Sequence, residues 1–237
     1  MKAMILAAGL GTRFKPWTDH HPKALALVNG KSLLERNILY LQSFGIKDVI
    51  VNVHHFSEQI LEAIHKHKGW GSNISISDET GEVLETGGGL KKAAGYFDYG
   101  SFVLMNVDIL TDLDLEAMAF YHEEKKPLVT LAVTNRKSSR HFLFDQNERL
   151  CGWRNTKSGE EKIPIPIRTL TEKAFSGIHL ISPEIFPLIH QEGKFSIVDV
   201  YLELASSHTI LGFDHSGSKL VDVGRSESVE VAEKLFP

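Results

Sequence analysis

The stretch from Leu6 to Leu25 holds the residues best suited to chemistry. Ala7, Ala8, Gly9 and Gly11 are small and follow the apolar run that starts at Ala3. Such a loop at the carboxyl end of a buried strand lets backbone N–H groups come close to phosphate oxygens. Arg13 and Lys23 supply cations for the same anion. Glycines also serve tight turns, but a turn has no need of Arg13 or of the Pro22-Lys23 pair. Two familiar phosphate patterns do not fit. A dinucleotide turn needs G-x-G-x-x-G and an acidic residue ending the next strand; here the third glycine is Phe14, and that strand ends in Asn52-Val53. A P-loop ending in Gly30-Lys31-Ser32 needs a glycine where Leu25 stands.

Gly9-x-Gly11-Thr12-Arg13, Pro16, Thr18 and Pro22-Lys23-Ala24-Leu25 together resemble the sugar-1-phosphate nucleotidyltransferases. That family opens L-A-A-G-x-G-T-R-x-x-P-x-T-x-x-x-P-K-x-L, and every fixed position is matched from Leu6 to Leu25. The resemblance implies that Ala8, Gly9, Gly11 and Thr12 wrap a triphosphate, Arg13 contacts its outer phosphates and Lys23 reaches the reacting α-phosphate. Asn106-Val107-Asp108 resembles the metal-binding strand end, with Asn106 at the nucleotide, and Val221-Asp222-Val223-Gly224 resembles the second metal-binding segment. The implied ligands of Mg²⁺ are Asp108 and Asp222. Arg225 departs from the threonine usual after that glycine. Phe175-Ser176-Gly177-Ile178-His179 resembles the sugar-pocket strand. Glu172, Lys173 and Ser176 are then candidates for the sugar phosphate, with a solvated ion pair the alternative for Glu172-Lys173. Glu79 lies where the base is often read. Leu84-Glu85-Thr86-Gly87-Gly88-Gly89 is similar to a segment of the uridylyltransferases acting on N-acetylmuramate 1-phosphate, which puts Gly87 beside the nucleotide; guanylyltransferases usually carry L-G-T-A-G there. A muramate carboxylate would also need a cation, and Arg136, Lys137, Arg140 and Arg154 are available.

The implied reaction is attack of a sugar-1-phosphate oxygen on the α-phosphorus of a nucleoside triphosphate, expelling pyrophosphate. That oxygen is already anionic near neutral pH, so no general base is needed. The obstacle is bringing two polyanions together, which cations and positioning overcome. Mg²⁺ suits the task, because it binds one or two carboxylates together with phosphate oxygens. UTP with N-acetylmuramate 1-phosphate is the expected pair, mannose-1-phosphate guanylyl transfer is the alternative, and a non-catalytic nucleotide-sugar sensor is the alternative of another class.

These residues must be positioned by an α/β fold. Apolar runs predict strands over residues 2–6, 48–53, 75–78, 102–107 and 128–133, alternating with helices, as parallel sheets require. Ser32-Leu33-Leu34-Glu35 reads as a capping box, and Ser57 as the cap of a second helix. After residue 135 the pieces shorten to 141–144, 149–153 and 174–181, a more antiparallel pattern. Helices from Ser182-Pro183, over 197–206 and from Ser226, with strands at 209–213 and 219–221, complete the reading. The resemblance implies a single Rossmann-like domain of GT-A type with a mainly parallel, mixed central sheet. Residues 1–135 would form a nucleotide-binding half and 136–237 a sugar-binding half, without a β-helix extension.

Composition narrows the partners. The chain has 237 residues and a formal net charge of −4, which argues against a general nucleic-acid surface. Its one cysteine, Cys151, cannot form an internal disulfide, and no apolar window approaches the roughly 18 residues of a spanning helix. A cytoplasmic enzyme without membrane attachment is the expectation. His65-x-His67 and His54-His55 cannot face one ion, so zinc is not expected.

Overall fold

A computed structural model describes all residues, Met1–Pro237. In chain order the strands are β1 (Lys2–Leu6), the short hairpin β2 (Leu27–Val28) and β3 (Lys31–Ser32), β4 (Asp48–Val53), β5 (Asn73–Asp78), β6 (Phe102–Asn106), β7 (Ile109–Thr111), β8 (Val129–Thr134), β9 (Arg140–Phe144), β10 (Leu150–Asn155), β11 (Glu161–Lys162), β12 (Thr171–Ile181), β13 (Ile210–Asp214) and β14 (Leu220–Asp222). The helices are α1 (Leu33–Ser43), α2 (Ser57–Lys66), α3 (Glu85–Lys92), α4 (Leu115–Lys125), α5 (Ile197–Leu204) and α6 (Ser228–Leu235).

Ten strands form one mixed sheet. β6, β1, β4 and β5 are parallel neighbours, whereas β12 runs antiparallel to β6, β8 and β9. β9, β10 and β11 continue antiparallel, as the shorter pieces after residue 135 predict, and β13 returns parallel to β8. Successive side chains on a strand point to opposite faces. Ala3 and Ile5 of β1 therefore enter one buried cluster while Met4 enters another. In β6, Val103 and Met105 take the first side, and Phe102 and Leu104 the second. Burial on both faces is why these strands are continuous apolar runs. Each cluster draws on both halves of the chain.

Ser32 caps α1 as expected, its Oγ accepting from Glu35 N–H at 3.1 Å. Ser57 is not a cap: it lies inside α2, which is entered through Phe56 at φ +53°, and no side chain caps that end. The Ser182-Pro183 start leads only to a six-residue 3-10 stretch, Pro183–Leu188, interrupted by Pro187.

Sequence periodicity does not announce α3, because three of its eight residues are glycine. Packing makes it. A side chain at Gly88 would lie 2.2 Å from Gly193 O, and one at Gly87 would lie 2.4 Å from the Phe195 ring. Phe195 O accepts from Gly87 N–H at 3.0 Å, and Thr86 Oγ1 accepts from Ile197 N–H at 3.0 Å. The glycines thus admit the segment before α5 against the helix backbone. Gly88→Ala is expected to destabilise the protein by about 1–3 kcal/mol through overpacking. Gly95→Ala, where a methyl meets nothing within 4 Å, should be neutral or slightly stabilising in the same denaturant titration.

Candidate active site

β1 is where the sheet order reverses: the chain leaves it for β4 and β5 on one side and comes back to β6 on the other. Crevices form outside the carboxyl ends of strands at such a switch point. A cavity of about 520 Å³ opens there, lined among others by Ala8, Gly9, Gly11, Thr12, Arg13, Lys23, Glu79, Asn106 and Asp108. The structure thus brings together most of the nucleotide-site residues expected from the sequence.

Gly11 holds φ +61°, a left-handed turn in which Gly11 O accepts from Phe14 N–H at 2.8 Å and from Thr18 Oγ1 at 3.0 Å. A side chain there would meet Thr18 and Lys23 within 3.2 Å. Gly9 differs, because a side chain on it would meet nothing within 4 Å. No protein acceptor takes the N–H groups of Gly9, Leu10 or Gly11. These donors are left for an anion, while the entrance to the loop is already bonded internally.

That internal bond comes from Asn52, a residue the sequence reading passed over. At the end of β4 its Oδ1 accepts from Ala7 N–H at 2.6 Å and from Ala8 N–H at 3.3 Å. Ala8 therefore lines the cavity but directs its N–H to Asn52 and not to a phosphate. Asn52 Nδ2 donates to Glu79 Oε1 at 2.7 Å, and Leu84 N–H reaches Glu79 Oε2 at 3.4 Å. Burial raises the Glu79 carboxyl above its ordinary pKa, and these donors offset that only in part.

The two aspartates meet through backbone pairing. β14 runs antiparallel to β7 with Asp222 opposite Ile109, and Val223 N–H donates to Asp108 O at 2.8 Å. Lys23 Nζ donates to Asp108 Oδ2. A side chain at Gly224 would fall 2.6 Å from Asp222 Oδ1 and 3.2 Å from Arg13 Nη2, so the glycine lets arginine and carboxylate share this corner. The walls thin the hydration of the Asp222 carboxylate and Asp108 faces it; both raise its pKa, against the pull of Lys23, Arg13 and Arg136. No cluster of three or more His, Cys, Asp or Glu side chains has metal-binding spacing. A cation held by Asp108 and Asp222 would thus complete its shell from substrate oxygens and water; Asp222 is in no salt bridge, and Asp108, whose Oδ2 takes Lys23, keeps its other oxygen for that role.

Other expected residues lie elsewhere. Gly87 is buried against Phe195 and does not line the cavity. Lys173 is buried and bonded to Glu148 at 2.9 Å and Asp214 at 3.0 Å, and it does not line the cavity. Glu172 is paired with Arg154, and the buried Ser176 hydroxyl shares a 2.7 Å hydrogen bond with His215 Nε2. Glu85, from the Leu84–Gly89 segment, stands on the cavity wall, as do Lys194 and Ser196, two residues with no motif signal. Glu85 has φ +60°, unusual for a residue with a side chain, and lies 3.6 Å from Lys194 Nζ.

The family model described as "Nucleotidyl transferase" matches residues 2–149, more than half of the chain. The chain belongs to this nucleotidyl transferase family. It is 32% identical to an N-acetylmuramate alpha-1-phosphate uridylyltransferase of Caulobacter vibrioides, over 91% of this chain and 88% of that protein. The protein of the same description from Neisseria meningitidis serogroup B is 29% identical, over 99% of this chain and 98% of its own. Among solved structures, a putative glucose-1-phosphate thymidylyltransferase from Bacillus anthracis superposes with a TM-score of 0.83 at 16% identity, covering 99% of this chain and 94% of that one, which establishes the shared fold. The Rossmann-like mixed sheet flanked by helices is thus borne out, and the nucleotidyl transferase is an enzyme of the sugar-1-phosphate class. None of its helices is long and apolar enough to cross a membrane.

Glu79 gives this site a pH signature. A carboxyl whose pKa is raised on folding binds its proton more tightly in the folded protein. Its contribution is most favourable below the unfolded value of about 4.3 and is lost as pH rises through the folded value. Glu79→Gln keeps an acceptor for Asn52, so it should be more stable than wild type at pH 7, with the gap closing toward pH 4. Denaturant unfolding at both pH values measures this; a gap independent of pH would assign Glu79 an ordinary carboxyl.

Proposed function

We propose that the enzyme transfers a uridylyl group from UTP to N-acetylmuramate 1-phosphate, with Mg²⁺, giving the nucleotide sugar and pyrophosphate. The observation that carries the reaction is the meeting of Asp108 and Asp222 beside Lys23 and Arg13, next to a loop with free backbone donors. The choice of substrates is supported by the near full-length likeness to the two uridylyltransferases. Residues 1–135 supply most of the nucleotide site and residues 136–237 most of the sugar site of one domain. We place the activity in the cytoplasm, where nucleoside triphosphates are available, and in the reuse of cell-wall sugars.

In this reading the amides of Gly9, Leu10 and Gly11 and the guanidinium of Arg13 hold the outer phosphates, and Lys23 stands at the α-phosphate. Asp108 anchors the Lys23 ammonium, which fixes where the positive charge sits before substrates arrive. Mg²⁺, when bound by Asp108 and Asp222, adds charge against the developing negative charge of the transition state. Asn52 fixes the loop, and Glu79 stands where it can face the base. No residue is needed as a general base.

Guanylyl transfer to mannose 1-phosphate is the less favoured reading. The guanylyltransferase pattern has alanine at the position of Gly87, where a methyl would fall 2.4 Å from Phe195, so this segment is built differently here. A sensor without catalysis is disfavoured by the full set of Arg13, Lys23, Asp108 and Asp222, since binding alone does not require a pair of metal-holding carboxylates.

Asp108→Asn and Asp222→Asn should each lower turnover at saturating Mg²⁺ by about 100-fold or more, since the amide loses the charge that holds the metal. Asp222→Asn should not lower the melting temperature at pH 7, because burial and the facing Asp108 both disfavour the charge it removes. Near wild-type turnover in Asp108→Asn would remove the metal assignment. Pyrophosphate release from UTP, GTP, CTP, ATP and dTTP against muramate, glucosamine, glucose and mannose phosphates decides the substrates; preference for GTP with mannose 1-phosphate would overturn the uridylyl reading alone.

A further inference from the structure

A second cavity, of about 840 Å³, adjoins the first: both are lined by Arg13, and Asp222 stands on the wall of the second. Its lining holds five cations, Arg13, Arg136, Arg140, Lys157 and Arg225, against the single carboxylate of Asp222. None of the five is in a salt bridge, whereas Arg154 on β10 is tied to both Glu161 and Glu172 and so is withdrawn. Cations that converge without partners repel one another, and an arriving anion reverses that cost. Arg13 is accounted for by the triphosphate, and a single phosphate group on the sugar does not need all the rest.

Arg136 is also held in place. Arg136 Nη2 donates to Phe175 O at 2.8 Å, which holds this guanidinium at the rim of the pocket while its other N–H groups stay free. Arg225 follows Gly224 directly, three residues past Asp222, and Arg225 and Asp222 both line this cavity. Phe142, Phe175 and Trp153 give the same cavity an apolar wall. A forked guanidinium matches a planar carboxylate with two parallel hydrogen bonds.

We propose that Arg136, Arg140 and Arg225 form a carboxylate-reading wall that selects sugar 1-phosphates bearing an acidic substituent over their neutral counterparts. This rests on the proposed function, because it places the sugar in the second cavity. The acid would be the lactyl group that alone distinguishes N-acetylmuramate 1-phosphate from N-acetylglucosamine 1-phosphate.

The test compares kcat/KM for those two sugar phosphates at saturating UTP, in the full-length wild type and in Arg225→Thr, Arg225→Lys and Arg136→Gln, with melting temperatures to verify folding. Wild type should favour the acidic sugar. Arg225→Thr should reduce the acidic-to-neutral preference by roughly 10- to 100-fold, the range expected for losing a hydrogen bond between charged groups, mostly through KM for the acidic sugar. Arg225→Lys, which keeps the charge and loses the fork, should fall between. A preference unchanged in all three variants, or equal losses on both sugars, would overturn the proposal while leaving uridylyl transfer intact. Should wild type turn over neither muramate nor glucosamine phosphate, the substrate reading fails; glucuronate 1-phosphate against glucose 1-phosphate, with whichever triphosphate the enzyme uses, then decides the carboxylate wall. A neutral preference in that pair would overturn it, and an acidic preference lost in Arg225→Thr would sustain it.

Discussion

The short ladder between β7 and β14 is the constraint on which the site depends. Asp108 and Asp222 lie in opposite halves of the chain, and no local pattern could bring them together. Three residue pairs and the bond from Val223 N–H to Asp108 O do so. Backbone hydrogen bonds are directional, and they fix position more tightly than side-chain contacts between flexible acids would. Once this register is set, Gly224 falls where Arg13 must pass, and the last strand delivers its carboxylate to the end of β6.

The remainder of the molecule tolerates what the site imposes. Glu79 and Asp222 carry raised pKa values, Glu85 holds a left-handed backbone, and the Gly9–Gly11 loop leaves donors without protein acceptors. Each departs from what a stable fold prefers. A sheet buried on both faces offsets them, because strands such as β1 and β6 contribute apolar side chains to two cores at once.

What could be read from the sequence follows the range of the physics. Gly11, Ser32 and the strand ending at Leu6 are local facts: a turn, a cap and an apolar run identify themselves within a few residues. Asp108 and Asp222 were legible by their motifs, though the pairing that joins them was not. Asn52 was missed because an asparagine closing a strand has no signature; its role exists only where β4 lies beside β1. Gly87 misled because glycine permits close approach without saying of what, and here the partner is Phe195. Lys173 misled because a motif conveys residue type and not direction, and Glu148 and Asp214 claim its ammonium. Ser57 had the right type for a cap, but the turn at Phe56 starts the helix one residue earlier.

Lys194 and Ser196 come from the later part of the chain, yet they stand on the wall of the cavity at the end of β1, carried there by the segment that lies across Gly87 and Gly88. The family model alone stops at residue 149, short of this segment and of Asp222. The two halves are therefore not interchangeable modules. Recombining the first half with the second half of a relative breaks a wall as well as the aspartate pair, unless α3 and its crossing segment travel together. Substrate diversity in such a fold is thus gained more readily by changing side chains within one interlocked body than by exchanging parts.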